Sequence, residues 1–231
     1  MGRAEVAGRK STPTDIVTHT DIASERLIRS ELLLRCPGSS IVGEELPDEV
    51  GTNRVEWIVD PIDGTVNFLY DLPVVSISIA ARIDEHMVAG SVVDVIRGDV
   101  FTAALGEGAT INGDPIRVAP TAAMSQSLIG TGFAYQAEVR AEQAEIVSRL
   151  LPEARDIRCM GSAALNLCWV GCGRLDGYYE RGTKLYDYAA AALIAAEAGA
   201  RVELPSETTG ASVIGSRPEI FEQLRALILG R

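Results

Sequence analysis

The chain has 231 residues, with 32 acids against 21 bases, a formal net charge of −11, 47% hydrophobic residues and 23% charged. That is ordinary globular composition, able to bury a sizeable core, and it excludes disorder and a disulfide-stapled miniprotein. The acidic balance also argues against electrostatic capture of nucleic acid or an anionic membrane, both of which need a basic footprint.

The first residues, Met1-Gly2-Arg3-Ala4-Glu5-Val6, have no apolar h-region, so no signal peptide is expected. The most apolar stretch, 189–200, is interrupted by Glu197 and is far short of the ~20 residues that span a bilayer. Cys36, Cys159, Cys168 and Cys172 form no C-x-x-C pair and only two histidines are present, so a zinc site is not expected. Reduced, mostly buried thiols in a cytoplasmic protein are.

Apolar periodicity predicts a helix over 21–35, capped by Thr20 or Asp21 and ended by Pro37-Gly38, with Ala23, Leu27, Ile28 and Leu34 on its inner side. Strands are predicted at 40–42 and 55–59. Two β-rich runs between residues 74 and 95 follow, joined near Asp84-Glu85-His86, then another at 99–105 before the turn-rich Asn112-Gly113-Asp114-Pro115. Beyond that, strands at 127–132, 155–158, 174–179, 200–204 and 211–215 alternate with helices at 138–151, 162–170, 186–198 and 218–229. This alternation suggests layered α/β packing. The expected division is an N-terminal α+β half, 1–120, carrying the metal-binding motifs, and a C-terminal α/β half, 121–231, completing the site.

The acids are unevenly placed. From 42 to 71 stand Glu44, Glu45, Asp48, Glu49, Glu56, Asp60, Asp63 and Asp71 against Arg54 alone, a net −7 in 30 residues. A random acidic run is usually a solvated loop, but here Asp60 directly follows the apolar strand Trp57-Ile58-Val59. A carboxylate emerging from a buried strand is costly to ionise without a partner, and with few Lys or Arg nearby a cation is the best one available. Pro61 fixes the turn, Asp60 and Asp63 can converge, and the Ile62 carbonyl lies between them. Hard oxygens of this kind suit Mg²⁺. Gly64-Thr65 would turn amides toward an anion, and Glu44-Glu45, after Gly43 at another strand end, can add a ligand. The chemistry indicated is metal-assisted hydrolysis, in which two ions about 3.5–4 Å apart activate a water and steady the leaving oxygen. Thr65 could orient that water.

Gly43-Glu44-Glu45, followed by Trp57-Ile58-Val59-Asp60-Pro61-Ile62-Asp63-Gly64-Thr65-Val66-Asn67-Phe68, resembles the signature of the inositol monophosphatase family. The likeness extends upstream over 10–21 and downstream through Gly161-Ser162-Ala163-Ala164, Asp176-Gly177-Tyr178-Tyr179-Glu180 and Tyr186-Asp187-Tyr188-Ala189-Ala190. It implies a layered α-β-α-β-α sandwich, usually dimeric and commonly inhibited by Li⁺. It implies two or three Mg²⁺, with Glu44, Asp60, the Ile62 carbonyl, Asp63 and Asp187 as ligands. Glu44 and Thr65 would position the attacking water, with Asp21 hydrogen-bonded to Thr65. Asp63, Gly64, Thr65, Ala163, Glu180 and Asp187 would line the substrate. The family's Trp before the downstream Asp is Tyr186 here, its usual Gly after the Ala pair is Ala191, and only nine residues precede Lys10 where the family has a helix, which bears on how the 10–15 loop is anchored. Asp187, read by itself, is the N-cap of an alanine-rich helix.

Three decoys are set aside. Cys168 to Arg174 has the C-x₅-R outline of a cysteine-phosphatase loop but lacks the preceding His and reads as the end of an apolar helix. The Asp60/Asp63 spacing does not fit D-x-D phosphatases, and His19 and His86 lack catalytic partners. The function expected is a Mg²⁺-dependent phosphomonoesterase that hydrolyses inositol monophosphate by in-line attack of a metal-activated water. Histidinol phosphate, fructose 1,6-bisphosphate and a nucleotide 3′-phosphate are alternative substrates, and a catalytically weak regulatory protein is the alternative of another class. Its partner is a small phosphate monoester, with no nucleic acid and no membrane, and a homodimer is expected.

Overall fold

A computed structural model of the chain describes residues 6–9, 16–120 and 123–231. The 10–15 loop of the family likeness lies outside the described residues. Strands β1 (Val6–Arg9) and β2 (Ile16–Thr18) pair antiparallel ahead of helix α1 (His19–Arg35).

A seven-stranded sheet then takes up β3 (Ser40–Gly43), β4 (Val55–Asp63), β5 (Ser76–Ile83), β6 (His86–Asp94), β7 (Val100–Ala104), β8 (Gly108–Ile111) and β9 (Asp114–Pro115), in chain order. Only β3 and β4 are parallel; the rest are antiparallel neighbours, as the turn-punctuated sequence predicts. Helix α2 (Thr65–Leu69) follows β4 directly.

Sheet membership changes between Pro115 and Leu128. A five-stranded sheet is built from β10 (Leu128–Thr131), β11 (Asp156–Cys159), β12 (Gly177–Arg181), β13 (Arg201–Glu203) and β14 (Ser212–Ser216), in the order β11-β10-β12-β14-β13. Its helices are α3 (Ala137–Leu150), α4 (Ala163–Gly171), α5 (Leu185–Glu197) and α6 (Pro218–Leu229). The strand predicted at 174–179 starts three residues late, because the Arg174 and Leu175 amides donate to the Trp169 carbonyl and finish α4 first.

Helices α4 and α5 pack on each other and on both sheets, so they form the middle layer. Their core joins Ile58, Ala80, Val92 and Phe101 of the large sheet to Leu165, Leu167, Ile194 and Val213. On the outer face of the small sheet, Ile146 and Leu150 of α3 and Phe221 and Leu224 of α6 cover Ile129, Tyr179 and Ile214. Helix α1 packs against β4. The result is the expected α-β-α-β-α layering. No described helix is long and apolar enough to cross a membrane.

Three expectations are corrected. Helix α1 does not turn Ala23, Leu27 and Leu34 inward: all three are exposed, Leu27 and Leu34 at 64% and 74%, Ile28 is half-buried, and the buried positions are Asp21, Glu25 and Arg29. The i, i+4, i+8 spacing is helical, but the inward stripe is polar because it faces site loops and not a hydrophobic core. Its N-cap is Thr18, whose hydroxyl accepts from the Asp21 amide while the Asp21 carboxylate accepts from the Thr18 amide. The thiols are also less buried than expected. All four are free, but only Cys168 is fully buried and Cys159 is exposed.

Candidate active site

Strand β4 does not stop at Val59. It runs on to Asp63 with one extra residue inserted between the Asp60–Ser78 and Asp63–Ser76 pairs. Pro61, which has no N–H for the ladder, falls in this bulge. The bulge re-aims the strand end, and the Asp60 carboxylate turns back to accept the Ile62 amide at 3.1 Å. Gly64 follows at φ 98°, and a side chain there would lie 2.9 Å from the Val74 carbonyl. Only glycine fits such a left-handed, crowded position. Helix α2 opens at Thr65, so its first-turn amides have no acceptor one turn back.

Asp63 is held by four donors. Ser76 (3.0 Å) and Ser162 (2.5 Å) give hydroxyls, and the amides of Ala163 (3.2 Å) and Ala164 (2.9 Å) point at it from the first turn of α4. Burial pushes its carboxyl up to about 6, against the lowering effect of those bonds. Among the described residues its Oδ1 takes only the Ala163 bond, which leaves a lone pair for a ligand. Asp60, fully buried, is pushed well above the usual carboxylate range by burial first and then by Glu44, Asp63 and Asp187. Asp187 is shifted the same way by burial and by Glu44, Asp63 and Glu180, offset by the Lys184 amide it accepts at 2.5 Å. Asp187 is therefore not the N-cap but the third residue of α5, bonding back to the cap position.

Thr65 stands beside this cluster. Its hydroxyl lies 3.0 Å from Asp21 Oδ1 and 3.1 Å from the Ile62 carbonyl, and it can donate to only one at a time. Asp21 is fully buried, with its other oxygen taken by the Thr18 amide and hydroxyl. Glu180, on β12, accepts the Tyr178 hydroxyl at 2.7 Å and is raised to about 7 by burial, Tyr178 opposing and Asp63 adding to the rise. A side chain at Gly132 would collide with the Glu180 carboxylate.

The predicted residues therefore meet: Asp21, Thr65 and the Ile62 carbonyl on one side, Glu44, Asp60, Asp63 and Asp187 in electrostatic reach, with Ala163 donating its amide to Asp63 and Glu180 close enough to shift Asp187. Among the described residues no three His, Cys, Asp or Glu side chains are already drawn to metal-holding spacing. What they form is a set of buried and half-buried acids whose leading electrostatic neighbours are themselves acidic, the donor set that fits a divalent cation.

Sequence reasoning missed Ser76, Asn67 and Tyr178 as supports. The Asn67 amide bridges the carbonyls of Val74 (2.8 Å) and Met160 (2.7 Å), tying α2 to the loop before α4. Asn67 lies within the quoted motif, but its reach across 93 residues has no sequence signal. The cysteine decoy resolves as expected: Cys168 is buried in α4 with its thiol pushed up by burial, and Arg174 pairs with Asp99 at 2.8 Å.

An acid cluster at a bulged strand end, between two sheets and beside a helix-opening Gly-Thr, defines a metal-dependent phosphatase of layered α/β architecture. The profile of the inositol monophosphatase family matches residues 2–227, and the chain belongs to that family. It is 45% identical to the inositol-1-monophosphatase SuhB of Mycobacterium tuberculosis over 95% of this chain and 80% of that protein. The crystal structure of the extragenic suppressor protein SuhB from Bartonella henselae superposes with a TM-score of 0.90 at 30% identity, over 97% of this chain and 89% of that one. The inositol monophosphatase of Anabaena gives 0.83 at 32% identity, over 91% and 86%. The chain is a phosphatase of this type.

Proposed function

We propose that the chain hydrolyses inositol monophosphate to inositol and phosphate with Mg²⁺ as the ion. The observation that carries this reading is the cluster of buried Asp60 and Asp63 with half-buried Glu44 and Asp187, beside the Thr65–Asp21 pair. Glu44, Asp60, Asp63, Asp187 and the Ile62 carbonyl are the groups that would hold the metal. When bound, Mg²⁺ supplies Lewis acidity and lowers the pKa of a water.

The remaining chemistry belongs to the chain. Thr65 donates its hydroxyl hydrogen bond to Asp21, which leaves its oxygen lone pairs to accept a hydrogen bond from the attacking water and hold it in line, with Glu44 on the other side. The amides of Gly64 and Thr65 face the phosphoryl oxygens. The water oxygen bonds to phosphorus as one of its protons passes to Glu44, the bond from phosphorus to the sugar-alcohol oxygen breaks, and the departing oxygen takes a proton from a solvent water beside Asp187, while Glu44 returns its proton to solvent. Glu180 and the α4 turn at Ala163 receive the polyol, since a carboxylate there accepts hydroxyl hydrogen bonds. Li⁺ sensitivity and a homodimer follow from the same reading.

The test is a phosphate-release panel of inositol 1-phosphate, histidinol phosphate and fructose 1,6-bisphosphate at fixed Mg²⁺, with chelation and Asp60→Asn as controls. Inositol 1-phosphate is expected to lead, and both controls to abolish release. A preference for histidinol phosphate overturns the substrate, and full Mg²⁺-dependent release by a folded Asp60→Asn overturns the mechanism.

A further inference from the structure

The 44–47 loop carries Glu44 but has no fully buried residue to anchor it: Glu44, Glu45 and Leu46 are half-buried and Pro47 is exposed. It is held by the polar face of α1. The Glu25 carboxylate accepts the Glu45 amide at 2.7 Å and the Leu46 amide at 3.3 Å. One turn on, Arg29 donates to Glu25 at 2.8 Å and sends its two remaining nitrogens to the carbonyls of Pro47 and Leu46, each at 3.0 Å. The pair thus grips both donors and acceptors of the loop backbone. It is also out of water, with Glu25 0% and Arg29 8% exposed.

Burying an ion pair costs desolvation that its Coulombic attraction rarely exceeds, so such a pair is weak evidence for stability alone. It does fix geometry, because a guanidinium fork and a carboxylate accept few alternative arrangements. The fit extends to Gly43: a Cβ there would lie 2.0 Å from the Glu25 carboxylate and 2.7 Å from Arg29, so the pair can occupy its place only beside a glycine. The same helix face ties down two more parts of the site, with Ser24 donating to the Pro61 carbonyl at 3.1 Å and Asp21 accepting from Thr65 at 3.0 Å.

We infer that Glu25 and Arg29 are positioning residues that set the Glu44 carboxylate for the divalent cation, by clamping the backbone that follows it. The activity arm of the test rests on the phosphatase reading above; the other two arms do not. Removing groups that orient a ligand typically costs ten- to a hundredfold in metal affinity. Glu25→Gln keeps the shape but leaves Arg29 unpaired, and Arg29→Lys keeps the charge but loses the fork.

Three quantities are measured on the whole chain: hydrogen exchange across 43–47 without metal, Mn²⁺ affinity by electron paramagnetic resonance, and Mg²⁺ activation of phosphate release. In Glu25→Gln, exchange across 43–47 is expected to rise about tenfold with α5 unchanged. Mn²⁺ affinity and the Mg²⁺ activation constant weaken by roughly ten- to a hundredfold, while KM at saturating Mg²⁺ stays within about twofold. Arg29→Lys falls between variant and parent, and decides the matter alone if Glu25→Gln does not fold. Mn²⁺ affinity within about threefold of the parent overturns the inference, as does a loss matched by increased exchange throughout the chain. If the parent releases no phosphate from inositol 1-phosphate, the substrate reading fails while exchange and Mn²⁺ binding still decide the clamp.

Discussion

Helices α1 and α5 each present an aspartate from their third residue to the same site, yet they are held there by opposite means. Helix α5 is buried along one continuous run, Ala189 to Ala195, between the two sheets. Its small side chains let backbones approach closely: a Cβ on Gly171 of α4 would lie 3.3 Å from Ala195 Cα. Helix α1 buries Asp21, Glu25 and Arg29 and leaves Leu27 and Leu34 in solvent. Its attachment is a set of directed hydrogen bonds to the site loops. A hydrophobic seat is strong but non-directional, whereas hydrogen bonds fix position at modest net stability. Asp187 thus rides on the core, and Asp21 on a polar brace.

The contrast is open to direct attack. Asp187→Asn removes a proposed metal ligand, and kcat/KM is expected to fall about a thousandfold, roughly 4 kcal/mol of the several that a metal supplies, with a weakened Mg²⁺ dependence. Asp21→Asn removes the acceptor behind Thr65 and is expected to cost about a hundredfold in kcat with little change in the Mg²⁺ activation constant. Equal Mg²⁺ dependence in the two variants, from activation curves, would collapse the distinction between the two aspartates.

Ala195→Leu overpacks the α4–α5 contact and is expected to destabilise by about 2 kcal/mol, read as a lower urea midpoint, with activity per folded molecule retained. A smaller effect is expected from pH. Glu180 and Asp63 have raised folded-state values, about 7 and about 6, so between roughly pH 4 and 7 the folded state binds more protons than the unfolded one. Stability of the metal-free protein from these groups is complete at the acid end of that window and is lost as pH rises through it. Thermal melts of metal-free protein from pH 5 to 7.5 should fall by a few degrees, and Glu180→Gln should flatten the slope. The least effect falls on the exposed side of α1. Leu27→Gln and Leu34→Gln are expected to change unfolding free energy by under about 0.5 kcal/mol, because neither side chain supports the helix; a drop of 2 kcal/mol would place a hydrophobic seat beneath α1 after all.

Much of the site was legible because its residues are local. Glu44, Asp60, Asp63 and Thr65 sit at strand ends within two short motifs, and chain connectivity alone brings three of them together. What could not be read is how those groups are supported. Asp63 takes hydroxyls from Ser76 and Ser162, 13 and 99 residues away, and Asn67 reaches Met160. Helix α1 misled because its periodicity was correct and its polarity reversed: three polar residues at fourfold spacing normally face water, and here they face backbone.

Composition and patterning by themselves determined that the chain packs as layered α/β, since apolar runs of strand and helix length have few ways to bury their faces, and the family resemblance supplied the number and order of the layers. They also placed most of the chain's acidic excess in one 30-residue stretch, 42–71, where a cation is the available counter-charge. Only the tertiary structure decided that the strand bulges at Pro61 and runs on to Asp63, that Asp187 bonds back to Lys184 from the third position of its helix, and that α1 turns its charged face inward. The bulge and the inward face of α1 depend on hydrogen bonds between segments distant in sequence, whose geometry exists only after the layers have packed, and the Asp187 bond to Lys184, though local, depends on where α5 starts.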